Sequence, residues 1–231
     1  MLISGNDLKT YKGKLVSVNI GTAGKNAEKQ FLTEKSLTPL KILETEYQSI
    51  PIKLVVEIQG SSRGEFEYEK GKLTEALSEC SITFKDIPDR VYESWLSGEI
   101  EVVNDLPEIG TITYNLNSIC VGEKKERNFT DTLNFAYEGN MKAPCILTIV
   151  TDIALNSLTI TGLTKQNITI QNVARDAPLV IDGEACLITQ NGTNKFNDSN
   201  LWEFPIVKPG ENTVKLSTAC TAVLAYKPRY I

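Results

Sequence analysis

The sequence predicts a mainly β protein built in two parts, and three observations carry that prediction. Short β-branched or alternating segments recur through the second part, as in Cys145-Ile146-Leu147-Thr148-Ile149-Val150 and Ser157-Leu158-Thr159-Ile160-Thr161. Turn-forming residues punctuate them, notably Asp182-Gly183 and Pro209-Gly210-Glu211-Asn212. Charge is uneven along the chain: residues 1–129 carry 16 basic and 20 acidic side chains, residues 130–231 only 8 and 9. The shift sets expected domains of 1–129 and 130–231, with the polar stretch 122–128 as the connection.

The elements follow in chain order. In the first part, 52–58 and 111–114 read as strands, while 73–77 and 91–96 read as short helices. Asp89 suits the N-cap of the second helix and Gly98 its stop, which turns Val91, Trp95 and Leu96 toward a core. In the second part, strands are expected over 145–150, 157–161, 168–171, 179–182, 185–189, 212–216 and 221–226, with a turn at 162–167. Alternation gives each sheet one wet and one buried face. Short strands at this spacing make an antiparallel sandwich or barrel. Pro205 should end a strand or sit at an edge. The final Tyr230-Ile231, aromatic and apolar, points to a packed tail, because free termini are usually polar.

Composition excludes several chemistries. Among the 231 residues there is no histidine, and the net charge is −5. Ser-His-Asp and Cys-His hydrolases, HExxH metalloproteases and Cys₂His₂ zinc sites are therefore ruled out. Also ruled out is a histidine-driven pH switch. The acidic balance argues against nucleic-acid binding, which needs Lys and Arg along the phosphates. The nearest basic run, Lys124-Lys125-Glu126-Arg127, is interrupted by an acid and reads as a solvated loop. Cys80, Cys120, Cys145, Cys186 and Cys220 contain no CxxC spacing and read as buried free thiols.

Other patterns dissolve on inspection. Thr22-Ala23-Gly24-Lys25-Asn26 shares part of a phosphate-loop pattern but lacks its first glycine and the Ser/Thr after lysine. Asp182 and Glu184 form a carboxylate pair with no second acidic cluster, so they solvate a turn and do not cut sugars. Four Asn-x-Ser/Thr sequons, at Asn128, Asn167, Asn191 and Asn197, read as chance matches, since no secretion signal opens the chain. No apolar run approaches the ~20 residues that span a bilayer. The sequence thus offers no catalytic, cofactor-binding or metal-binding residue, and synthesis in a cytoplasm is expected.

The ending and the opening carry a family likeness. The ordered set is Leu179-Val180-Ile181-Asp182-Gly183-Glu184, Phe204-Pro205, Pro209-Gly210-Glu211-Asn212-Thr213 and Tyr226-Lys227-Pro228-Arg229-Tyr230, preceded by Tyr11-Lys12-Gly13-Lys14 and Ile58-Gln59-Gly60. In this set the chain resembles the distal tail protein family of siphophages of Gram-positive hosts, most closely over 178–231. The resemblance implies an N-terminal split β-barrel-like domain with a short helix, over 1–129, six copies of which close into a ring. It implies a galectin-like antiparallel β-sandwich over 130–231 on the outside. The implied role is a structural virion protein at the tail tip, a hexameric distal tail adaptor. Its implied partners are the tail tube protein, the tail-tip hub protein and receptor-binding proteins, with no specific nucleic-acid recognition and no membrane. An acidic channel wall that resists sticking to passing DNA is a further expectation.

The galectin-like shape would suggest sugar binding, but the histidine of a galectin site is missing. Trp202 beside Glu203 is the only local echo of that site, and Trp202 reads as core or inter-domain packing. The alternative from a different class is a β-rich binding module, an adhesin or a receptor-binding or carbohydrate-binding tail component.

Overall fold

A computed structural model describes the backbone of residues 1–31 and 40–231, and the side chains of 1–25 and 47–231. The described chain divides into two compact units, Met1–Cys120 with Ile231 and Val121–Tyr230.

The N-terminal unit runs β1 (Leu2–Ile3), β2 (Asn6–Asp7), β3 (Gly13–Ile20), β4 (Lys25–Phe31), β5 (Leu40–Tyr47), β6 (Ile50–Gln59), α1 (Arg63–Ser78), β7 (Glu79–Phe84), β8 (Ile87–Leu96), β9 (Glu101–Leu106) and β10 (Ile109–Val121). Its sheet is ordered β2-β1-β7-β8-β10-β6-β3, with β9 added on β10, and β4 and β5 pair as a separate ribbon. The sheet ends in β2 on one side and β3 on the other, so it does not close into a barrel. In β6, Ile50, Ile52, Leu54, Val56 and Ile58 alternate inward, the period-2 pattern of a one-faced strand. Antiparallel register sets Leu54 opposite Tyr114 and Ile52 opposite Leu116 of β10. The helix buries Phe66, Leu73 and Leu77, and its Thr74 hydroxyl lies 3.2 Å from the Tyr114 hydroxyl. Each such apolar side chain contributes about 1.5–3 kcal/mol by leaving water.

Two local expectations are corrected here. Residues 91–96 are not helical but belong to strand β8. Val91 and Trp95 are spaced for one helix face, yet the same segment also alternates: Tyr92 and Ser94 point inward, and Trp95 points out at 39% exposure. Pairing with β7, which sets Ser94 opposite Cys80 and Trp95 opposite Glu79, decides between the two periods. The helix expected over 73–77 is instead 16 residues long. Its start lies upstream, where the Ser62 hydroxyl accepts a hydrogen bond from the Glu65 N–H at 3.3 Å, an N-cap arrangement.

The C-terminal unit runs β11 (Lys125–Phe129), β12 (Thr132–Tyr137), β13 (Ala143–Val150), β14 (Leu155–Thr161), β15 (Ile168–Val173), β16 (Leu179–Asp182), β17 (Leu187–Gln190), β18 (Thr193–Asn194), β19 (Ile206–Val207), β20 (Gly210–Leu216) and β21 (Thr221–Tyr226). One sheet is ordered β11-β21-β13-β16-β17-β18 with β19 on β13, and the other β12-β20-β14-β15. Side chains from both, among them Leu147, Ile149, Leu158, Ile160 and Leu224, share one core. This is the antiparallel β-sandwich the sequence predicts. The polar stretch expected to link the two parts supplies β11, whose Phe129 is buried and whose residues pair with β21. The chain's ending is packed only in part: Pro228 accepts from the Gly122 N–H at 2.8 Å and the Arg229 N–H donates to the Tyr137 hydroxyl at 2.7 Å, but Ile231, expected to pack, is exposed.

The Asp182-Gly183 hairpin forms, but not for the expected reason. Positive φ falls to Cys186, at 56°, and not to Gly183. Gly183 is needed for space, because a Cβ there would lie 2.4 Å from the Pro205 carbonyl oxygen and 2.8 Å from that of Cys145.

Candidate functional site

The titratable side chains are occupied with structure. Asp182 accepts from the N–H groups of Glu184 and Ala185, both at 2.8 Å, so its carboxylate closes the turn while Glu184 is exposed. Burial pushes the Cys80 thiol up to about 11 and the Cys145 thiol further up, so neither is a nucleophile near neutral pH. Cys120 and Cys220 are also buried, whereas Cys186 is exposed, a correction to the expectation that all five are core. Burial also raises Tyr137, to about 12. The segment 22–26 enters strand β4 and opens no helix, so it lacks the helix N-terminus a phosphate loop uses. Lys124–Arg127 is not a loop but largely strand β11, where Arg127 meets Glu138 at 3.1 Å and Tyr226 donates to the same carboxylate. Among the described residues, no group of three or more Cys, Asp or Glu could hold a metal ion.

What the N-terminal unit presents instead is strand edge and apolar surface. Among the described residues, no strand pairs with the outer edge of β3, where Val16 is 54% exposed and Val18 is also exposed. All six residues of β9 are exposed, including Val102, Val103 (62%) and Leu106. An unpaired edge offers N–H and C=O groups to another chain, and clustered exposed apolar side chains mark contact surfaces.

In the C-terminal unit, a cleft with a cavity volume of about 90 Å³ lies between the 162–167 turn and the 200–203 loop. Trp202 lines it and is 89% exposed, which overturns its reading as packed. Leu201, beside it, is buried, and Phe204 packs against the core, so the loop is anchored with Trp202 turned outward. Asn200 is fixed on both sides: its side-chain oxygen accepts from the Thr169 N–H at 2.6 Å, and its amide donates to the Asn167 carbonyl at 3.2 Å. Lys165 and Glu203 face each other across the cleft at 3.5 Å, and the Thr164 hydroxyl donates to the Gln166 carbonyl. A signal was present in the sequence: Trp202 stands between Asn200 and Pro205, outside any alternating strand.

Residues 138–230 match the family model of the siphovirus-type tail component, C-terminal domain. The chain resembles the distal tail proteins of siphophages. The crystal structure of SPP1 Dit, described as a paradigm of the hub adsorption apparatus in phages infecting Gram-positive bacteria, superposes with a TM-score of 0.77. That likeness covers 100% of this chain and 98% of that one, at 12% identity. A chain of the phage P2 baseplate, in its activated conformation with Ca, matches with a TM-score of 0.51 and 9% identity, over 96% of this chain and 92% of that one. At these identities the structural likeness establishes the fold. No curated protein sequence matches the chain.

Proposed function

We propose that this protein is a structural component of a siphophage virion, placed at the tail tip as a distal tail adaptor. The observation that carries the reading is a likeness to SPP1 Dit that spans both chains almost end to end, joined to a tail-component match over 138–230. On this reading the N-terminal unit, Met1–Cys120, forms a ring of six copies that joins the tail tube protein to the tail-tip hub. The C-terminal unit, Val121–Tyr230, which includes β11, forms the outer sandwich, where receptor-binding proteins attach.

The physics of the chain supports this role. A head-to-tail contact repeated around a closed rotation makes a ring from two different surfaces of one subunit. An open sheet with the β3 edge and the exposed β9, which carries Val102, Val103 and Leu106, supplies such surfaces. The reading is tested by mixing the full chain with tail tube and hub proteins of the same phage genome and following co-elution. A complex containing all three supports the adaptor. A chain that binds neither contradicts it.

A further inference from the structure

The most unusual surface feature, against the packing logic of the rest, is Trp202. Large aromatic side chains are normally withdrawn from water, and their exposure is informative when a shaped, polar surface adjoins them. Here it does. The indole lines a cleft whose other side chains include Thr164, Gln166, Asn167 and Asn200, with one ion pair, Lys165–Glu203. We propose that this cleft binds a neutral saccharide, with one pyranose ring stacked on Trp202.

Three features choose that ligand class. A pyranose has an apolar C–H face and a rim of hydroxyls, so it needs an exposed aromatic plane beside amide and carboxylate groups. The cleft supplies both within one loop pair, as small-molecule sites do when a few polar groups fix orientation. Charge selects against acidic ligands. Lys165 and Glu203 are the charged side chains lining the cleft, and they neutralise each other. The site is also held before any ligand arrives: Asn200 is bonded on two sides and Leu201 is buried beneath it. Pre-ordering lowers the cost of binding. A protein hot spot would set the indole among near-neutral contacts that exclude water. The lining here mixes Ile168 and Leu201 with polar groups, and the indole stays exposed with no such rim around it, which favours a sugar over a protein partner. The inference does not depend on ring assembly.

The test uses the full chain and its own fluorescence, since Trp95 and Trp202 are the only tryptophans. A Trp95→Phe variant isolates the Trp202 signal. It is titrated with tetrasaccharides of N-acetylglucosamine, glucose and galactose, and with a uronic-acid tetrasaccharide as the charged comparison. The expected result is a saturable blue shift with at least one neutral sugar and weaker binding of the charged one. Trp202→Ala, read by calorimetry, should lower affinity at least tenfold with unchanged thermal unfolding. Flat titrations with all three neutral sugars overturn the proposal. So does binding that Trp202→Ala leaves intact, or Trp202→Ala disrupting a contact with another tail protein while the sugar titrations stay flat.

Discussion

At the start of α1, Glu65 gathers three donors: the Ser61 N–H at 2.6 Å, the Ser61 hydroxyl at 2.5 Å and the Lys12 ammonium. The Lys12 contact first, then the two from Ser61, hold its carboxyl at about 2, below its ordinary 4.5. A depressed carboxylate stabilises the fold above its unfolded value, and that stability is lost as pH falls through the folded value. Thermal melts should therefore show a loss between pH 4.5 and about 2 that Glu65→Gln flattens. Salt should weaken the Lys12 part, since the pair is solvent-exposed. Ser62→Ala removes the neighbouring cap and should cost about 1 kcal/mol, read from chemical unfolding. Gly162 is a sharper case. Its φ is +96° and a Cβ would lie 1.8 Å from the Thr213 carbonyl oxygen. Gly162→Ala should destabilise the C-terminal unit by more than ~1 kcal/mol, because both the backbone angle and the space forbid it.

Strands divide into those that hold a unit together and those left for contact. Leu54 in β6 is fully buried, so Leu54→Ala should cost about 2–5 kcal/mol in a denaturant titration. Val103 in β9 is the opposite: Val103→Glu should change stability by no more than ~0.5 kcal/mol, yet weaken self-association measured by sedimentation. Unchanged association would remove β9 from the contact surface. The same division explains what the sequence made legible. In β13, the β-branched, apolar run 145–150 marks a strand by itself, while the alternation of buried Ala143, Cys145, Leu147 and Ile149 with half-exposed neighbours is set by the sandwich it packs in. In β8, one spacing satisfied both the helical and the strand period, and only the long-range pairing with β7 resolved it. The first turns of α1, rich in Glu and Lys and carrying Gly64 and Gly71, hid a 16-residue helix from a search for apolar spacing. Trp202 was misread because residue type alone favours burial, whereas its exposure follows from the loop that anchors Leu201 and Phe204 around it.

For the whole molecule, the absence of histidine has its largest consequence in assembly. No side chain titrates near neutral at its ordinary value, and the resolved shifts move carboxylates down and thiols and phenols up. Any oligomer should keep its stoichiometry across the pH range around neutrality. Its salt dependence is a separate matter, set by exposed charges. On the adaptor reading, the edge of the N-terminal sheet that no strand covers among the described residues is a surface for contact with other parts. Association by mass action depends on concentration, so it has to be followed upward in protein. The most direct measurement is the native mass of the full chain over such a concentration series. The ring reading predicts a discrete six-copy species that grows with concentration and stops there. A chain that remains monomeric, or that settles as a trimer at the highest concentration, contradicts it.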